Sequence, residues 1–357
     1  MSDIKIIIWA NNLGITEPVN GSWIEAISDF YGSHPNQPHI QSIAEGLGLT
    51  EPVNGSWIQA ISVFYGGTTD GEPYISQIAT LTSGGTSSEF FEMTIDTTQT
   101  GSASDTFILL CGNIGTYNAV IDWGDGSTSD ITTYNDADLT HVYSSSGTYQ
   151  IKISGELPQI RFLGGGDCLK VISIDNWGTI PWYSFQYAFS GCRNMDILAT
   201  DYPDLTTNSV QRIDQMFRNN NSLTVADFRE WDTSNVTSMG IMFAGCNSAT
   251  EINLTGWDTS NNTNCSQMFN SAANDVVIGM DTHNIEKVTV FSHFMFSCSF
   301  STTEYDKVLV SWAAQDAVNG LNVNFGGSQY TLGSAAATAR QSLLDDDLWT
   351  ITDGGGI

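Results

Sequence analysis

Residues 231–246 read WDTSNVTSMGIMFAGC and residues 257–272 read WDTSNNTNCSQMFNSA. The two segments start 26 residues apart and align without a gap, so they are successive copies of one unit. The unit recurs outward from this pair. Phe189, Phe217, Phe243, Phe269 and Phe296 are spaced 28, 26, 26 and 27 residues apart. Thr179, Thr207, Thr233 and Thr259 stand ten residues before the first four. Trp177, Trp231 and Trp257 lie two residues earlier still, with Leu205 replacing the second Trp. The fifth unit departs through an insertion around His283–Lys287. One such unit cannot bury its own Phe, Met and Leu, so stacking of neighbours is how this sequence makes a continuous core.

Within the unit, Met239, Met242 and Phe243 fall on one face of a short helix, and Ile252 and Leu254 alternate as a short strand. The repeated Trp and Phe read as a core ladder and the Asp-Thr-Ser turns as capping hydrogen bonds. The unit resembles that of BspA-like leucine-rich-repeat surface proteins, roughly W-D-T-S-x-V-x-x-M-x-x-M-F-x-G-C. That resemblance implies a leucine-rich-repeat solenoid over 164–300. It reaches the flanks: Asp167–Thr179 is similar to the family's entry junction, and Tyr305–Ala314, Val323–Gly327 and Ala335–Gly355 to its closing cap. Residues 301–357 are therefore expected to be a small α/β cap.

Residues 90–163 carry five short β-rich segments separated by Gly, Ser, Asn and Asp: Phe90–Ile95, Thr106–Leu110, Ala119–Trp123, Leu139–Tyr143 and Thr148–Ile153. Val120-Ile-Asp-Trp-Gly-Asp-Gly-Ser127, then His141-Val-Tyr143 and Gly147-Thr-Tyr-Gln-Ile151, are similar to the polycystic-kidney-disease (PKD) type of immunoglobulin-like domain. The resemblance implies a β-sandwich used as a spacer or binding module, with His141 in a structural role. Asp125-Gly126 supplies a tight turn. Asp122 and Asp125 could hold Ca²⁺, but two carboxylates make a small donor set, and turn-stabilising hydrogen bonds are the favoured reading.

The N-terminal part is duplicated. Gly14–Gly32 reads GITEPVNGSWIEAISDFYG and Gly48–Gly66 reads GLTEPVNGSWIQAISVFYG, 34 residues apart. Ile40, Ile43, Ala44 and Leu47 share a helical face, and Asn54-Gly-Ser56 can cap a second helix carrying Trp57, Ile58, Ile61 and Phe64. Residues 1–82 are thus expected to be two α-helical repeat units, followed by a flexible linker, SGGTSSE, at 83–89. The units resemble the NGSW repeats of tailed-phage structural proteins. This implies a docking role in which Trp23, Tyr31, Trp57 and Tyr65 are the candidate contact residues; read from their helical spacing alone, the Trp pair could be a sugar platform, but core packing is the favoured reading.

Composition narrows the function. The chain has 357 residues, with 11 Lys and Arg against 39 Asp and Glu, a net charge of −28. Phosphate backbones and anionic lipids would be repelled, so nucleic acid and membrane surfaces are not expected partners. The six cysteines show no CxxC pair and no metal-ligand spacing. They read as buried thiols, with a disulfide framework or a metal site as alternatives. The five histidines are scattered, with no HExxH and no GxSxG; His283 and His293 could meet across the irregular fifth unit. The segment MSDIKIIIWANNLG lacks the apolar core and cleavage site of a secretory signal, and no apolar run of transmembrane length occurs.

The expected architecture is multidomain: N-terminal α-helical repeats, a PKD/Ig-like β-sandwich, and a leucine-rich-repeat solenoid with a small α/β C-terminal cap. The expected function is a non-enzymatic phage virion protein, a fibre or decoration, located in the virion and assembled in the host cytoplasm. Residues 1–82 would dock on other virion proteins and the distal domains would reach a host-surface glycan or protein. No cofactor is expected beyond the Ca²⁺ considered above. No long heptad is present, so a homo-oligomer would take its symmetry from the particle or from packed domains. The alternatives are a bacterial cell-surface adhesin, against which the missing export signal argues, and a tail-spike glycan-degrading enzyme, for which no carboxylate spacing is singled out.

Overall fold

In Phe91-Glu-Met-Thr-Ile-Asp96 every second residue is apolar, and Phe91, Met93 and Ile95 are fully buried. This period of two is what a strand with one face on a core requires. The computed structural model describes residues 89–357, and residues 1–88 fall in a separate unit. Phe91–Asp96 is strand β1, followed by β2 (Thr106–Ile108), β3 (Asn118–Asp122), β4 (Thr128–Ile131), β5 (Thr140–Val142) and β6 (Thr148–Glu156). Strands β7 (Val171–Asn176) and β8 (Asp196–Ile197) follow. One six-stranded sheet runs β4-β3-β6-β1-β7-β8, antiparallel except for the β7–β8 pair, while β2 and β5 form a second, two-stranded antiparallel sheet. Met93 of β1 faces Ile151 of β6 on one side and Ile174 of β7 on the other. The first sheet therefore continues into the repeat region.

A buried ion pair fastens the loop after β1 to this junction. Lys170 and Asp167 are both fully buried with 3.8 Å between Nζ and Oδ1. The ammonium donates to the carbonyls of Ala103 (2.8 Å) and Thr106 (2.7 Å) and to Ser102 Oγ (3.0 Å). The carboxylate accepts from Ser102 N (2.6 Å), Ser102 Oγ (2.6 Å) and Ile108 N (2.8 Å). Desolvating two charges is tolerable because nearly every donor and acceptor is used. Gly101 is required beside them, since a Cβ there would sit 2.2 Å from Asp167 Oδ1.

Beyond β8 the chain stacks turn upon turn. The N–H groups of Phe185, Tyr187, Phe189 and Gly191 donate to the carbonyls of Arg212, Asp214, Met216 and Arg218 at 2.8–3.1 Å. Residues 213, 215, 217 and 219 donate in turn to 238, 240, 242 and 244; residues 239, 241, 243 and 245 to 264, 266, 268 and 270; and residues 265, 267, 269 and 271 to 290, 292, 294 and 296. On another side of the stack, β9 (Val225–Asp227), β10 (Glu251–Asn253) and β11 (Val277–Ile278) form a parallel sheet in the order β11-β10-β9. Between these edges, Phe189, Phe217, Phe243 and Phe269 are fully buried and stack at 6.2, 6.0 and 5.7 Å between ring centroids.

The expected fold class is corrected by this arrangement. The described residues are mostly short strands and turns, with two α-helices, α1 (Thr302–Trp312) and α2 (Ala335–Asp345), both near the C-terminus. The leucine-rich-repeat solenoid with a short helix at Met239–Phe243 is not present. Left-handed residues two before the Phe positions prevent it: Gln215, Ile241 and Gln267 have φ of 57°, 61° and 53°. A helix cannot pass through them: the N–H groups of Gln215, Phe217, Ile241 and Phe243 turn to the neighbouring coil, while those of Met216 and Met268 bond back to residue i−3. The expected N-terminal α-helical repeats, with Trp23, Tyr31, Trp57 and Tyr65, lie outside the described residues and are not shown.

Phe296 is also corrected as a ladder residue. The chain inverts Met-Phe to Phe294-Met295, and His293 and Ser297, both at positive φ, flank Met295 as Gln267 and Ser271 flank Phe269. Met295 holds the ladder register, the Phe294 ring meets Phe269 edge-on at 5.4 Å, and Phe296 is left 46% exposed.

Strands β12 (Asn322–Asn324) and β13 (Thr350–Thr352) pair in parallel at the end of the stack. Ser301 caps α1 in a Ser-x-x-Glu arrangement, and Tyr305, Val308, Leu309 and Trp312 make its buried face. Asp353, after β13, accepts from Tyr305 OH (2.8 Å) and from Arg340 Nε and Nη2 (2.7 and 3.1 Å), tying both helices to the last turn.

Phe243→Ala is expected to destabilise the 89–357 unit by about 3–5 kcal/mol, whereas Phe296→Ala should cost well under about 1 kcal/mol; paired denaturant titrations compare them. Lys170→Met leaves Asp167 buried and unpaired, and should cost about 3–5 kcal/mol in the same measurement.

Candidate functional site

The WGDG turn shows how its polar residues are spent. Asp122 Oδ1 accepts from Gly124 N at 2.9 Å, and Asp125 Oδ1 from Ser127 N at 2.9 Å and Ser127 Oγ at 2.5 Å. Asp125 Oδ2 meets His141 Nε2 at 2.9 Å. Burial raises the Asp125 pKa, but the bonds from Ser127 and His141 outweigh it and hold the carboxyl at about 2. His141 stacks on Trp123 at 4.8 Å and 4°, and Tyr143 OH donates to Trp123 O at 3.1 Å. Ser, His and Asp are all present here, yet they are not arranged as a nucleophilic triad. Ser127 Oγ (3.4 Å) and Asp125 approach the same ring nitrogen, and the Ser127 hydroxyl already donates to the carboxylate. The cluster fixes a turn. Among the described residues, no group of three or more His, Cys, Asp or Glu is placed to hold a metal.

The Thr positions divide. Thr233 and Thr259 are buried, and their hydroxyls donate to Asp258 O (2.9 Å) and Asn284 O (3.0 Å) of the next coil. Thr179 and Thr207 are exposed, bonding instead to Glu89 O and to the Asp204 carboxylate. The Asp of each repeat turn accepts from the Ser two residues on, at 3.0 Å from both Asp232 to Ser234 and Asp258 to Ser260. A third column, Thr237, Thr263 and Thr289, donates through hydroxyls to the carbonyls of Gln211, Thr237 and Thr263. Much of the polar surface is thus engaged in holding coil to coil.

His283 and His293 do not meet as a pair. His283 stands 26 residues after Trp257, in the Trp column, 1% exposed and 6.2 Å from the Trp257 ring. His293 is exposed on the surface against Phe296. All six cysteines are free, and burial pushes the thiols of Cys246, Cys265 and Cys298 up to about 12, which makes them unreactive core groups.

An open groove lies where the stack meets the C-terminal segment. It has a volume of about 470 Å³ and is lined by Asn274, Phe296, Ser297, Asn324, Gly327 and Thr352 among others. Apart from Phe296 and Cys298, the sequence singles out none of its side chains. The Met-Phe to Phe-Met inversion at 294–295 is the signal that points there.

Residues 173–319 match the family model described as "Mycoplasma protein of unknown function, DUF285". The match begins within β7 and spans the coil stack and α1. No curated protein and no solved structure matches the chain.

His283 makes the stack sensitive to acid. Its Nδ1 lies 3.1 Å from Gly279 O, while Nε2 has no partner. Burial lowers its pKa to about 4, against the smaller opposing effect of the Gly279 carbonyl. The folded state therefore binds this proton less readily than the unfolded state. The contribution is full above the unfolded value near 6.5 and is lost as the pH falls toward 4, about 3 kcal/mol in all. Unfolding free energies of the native chain and of His283→Phe between pH 7 and 4.5 should diverge in slope, the variant being the flatter.

Proposed function

We propose that this chain is a non-enzymatic structural and attachment protein of a phage virion, a fibre or capsid decoration. Residues 1–82 dock on other virion proteins, and the 89–357 unit presents a surface to a host glycan or protein. The observation that carries this reading is the coil-to-coil ladder. Four stacked interfaces, each with N–H groups donating at every second residue, give a firm scaffold whose outer edge is Thr, Asn, Ser and Gln. The polar groups serve register, not proton transfer; the Ser127–His141–Asp125 cluster, which has the residue types of a catalytic site, is turned to packing and turn formation. The near-identical segments at Gly14–Gly32 and Gly48–Gly66 suit a docking element that meets a repetitive particle surface.

A bacterial cell-surface adhesin is the second reading, favoured by the likeness to a family described from Mycoplasma. One fractionation separates the two. Purified virions and host envelope from the same lysed culture are probed for the chain by mass spectrometry. The virion reading expects it in particles at stoichiometric amounts and absent from the envelope; the reverse distribution overturns it. The full chain is also expected to bind host cells, and a chain that coats particles but ignores cells would reduce the role to decoration.

A further inference from the structure

Phe296 is the repeat phenylalanine that the stack leaves outside. We propose that the groove it borders is a glycan subsite for a neutral pyranose ring. The apolar face of the sugar would rest on Phe296, and its hydroxyls would meet Asn274, Asn324, Ser297 and Thr352. The inference rests on the attachment reading above and adds where the ligand sits and what its chemistry is.

The aromatic platform comes first. Phe189, Phe217, Phe243 and Phe269 are fully buried, while Phe296 is 46% exposed with the His293 ring edge-on to it at 5.6 Å and 72°. An aromatic face held by a neighbouring ring and open to solvent offers apolar contact with little side-chain entropy to lose.

The polar groups come second. Several hydroxyls and amides of the repeat turns are committed, as with Thr263 to Thr237 O and Asn261 to Ser234 O. At the groove Asn274, Ser297 and Thr352 are exposed. The side chains of Asn274, Ser297 and Thr352 have no hydrogen-bond partner among the described residues. Asn324 uses its Oδ1 on Gly326 N at 2.8 Å and keeps its amide donors. Donors and acceptors of both kinds beside one aromatic ring match a polyhydroxylated ligand.

Glycine and charge set the remaining limits. A Cβ at Gly326 would lie 2.0 Å from Cys298 O, so the backbone there must stay bare, whereas one at Gly327 would meet only Ser299 Cβ at 3.9 Å. No Lys or Arg lines the groove, and the chain carries a net charge of −28. Sialylated and sulfated glycans are disfavoured on both grounds.

The test uses the full chain on an array of neutral hexose and N-acetylhexosamine oligosaccharides with their sialylated and sulfated counterparts. Binding to neutral members is expected. Phe296→Ala and Gly327→Leu should each weaken it about tenfold or more while the melting temperature holds. Glycan binding that neither substitution alters overturns the groove assignment and leaves the attachment reading standing. A preference for the anionic members also overturns it. Should the unaltered chain bind no array member, the groove proposal falls, and binding to host cells then decides separately whether attachment falls with it.

Discussion

The register of the inter-coil ladder governs this structure. An N–H donated at every second residue to a carbonyl one coil on can be satisfied only if the coils keep the same length between rungs. Three successive interfaces keep a donor-to-acceptor offset of 25 residues, as in Phe217 to Met242, Phe243 to Met268 and Phe269 to Phe294. Side-chain packing then repeats automatically. A ring placed above a ring in one coil is placed so in the next, and the stacked Phe column follows. The cost is local: Gln215, Ile241 and Gln267 must accept positive φ, a conformation that β-branched Ile241 strongly resists. Stacking on both sides over-determines that backbone, and the strain persists because relieving it would break rungs above and below.

A stack of this kind has two open ends, and each is closed by a charge cluster, fully buried at the entry and partly buried at the exit. At the entry, Asp167 and Lys170 bind the loop at Ser102–Thr106, and β7 joins the first sheet. At the exit, Asp353 gathers Tyr305 and Arg340 so that α1 and α2 stay fixed to the last turn. In both places the charges are nearly saturated with hydrogen bonds, the condition under which a buried ion pair is tolerated. Neither cluster recurs within the coils. Periodic apolar packing holds the middle, and specific polar contacts hold the ends.

The elements that the sequence disclosed are those with strong periodicity. The alternation in Phe91–Asp96 and Thr148–Glu156 places β1 and β6, and the five strands read between residues 90 and 153 lie within three residues of observed ones. The short β4 and β8 escape, because β4 reads Thr-Ser-Asp-Ile and β8 has two residues, too little for a pattern. The helix expected at Met239–Phe243 fails for a subtler reason. Met239, Met242 and Phe243 are all buried, as a helical face would have them, but a turn with a left-handed residue at Ile241 buries the same three positions. Burial spacing over five residues does not distinguish the two; the inter-coil hydrogen bonds do, and they are non-local. The groove's lining was hidden for the same reason beyond the inversion at 294–295, since Asn274, Phe296, Asn324 and Thr352 come from four separate segments of the chain.

The fifth coil shows how a repeat side chain reaches the surface. Its backbone keeps the ladder, with Gln267 and Phe269 still donating to residues 292 and 294. Only the order of two side chains changes. Met295 fits the space that Phe fills elsewhere, because an unbranched thioether adapts to an irregular gap, and Phe294 still reaches Phe269 from the adjoining position. The core is thus satisfied without Phe296, whose ring is released to the surface beside amides and hydroxyls that the stack no longer uses. His283 follows the same logic inward, occupying a Trp position while leaving Nε2 unpaired. A regular stack tolerates such exchanges because its register is carried by backbone bonds, so side chains at single coils are free to diverge.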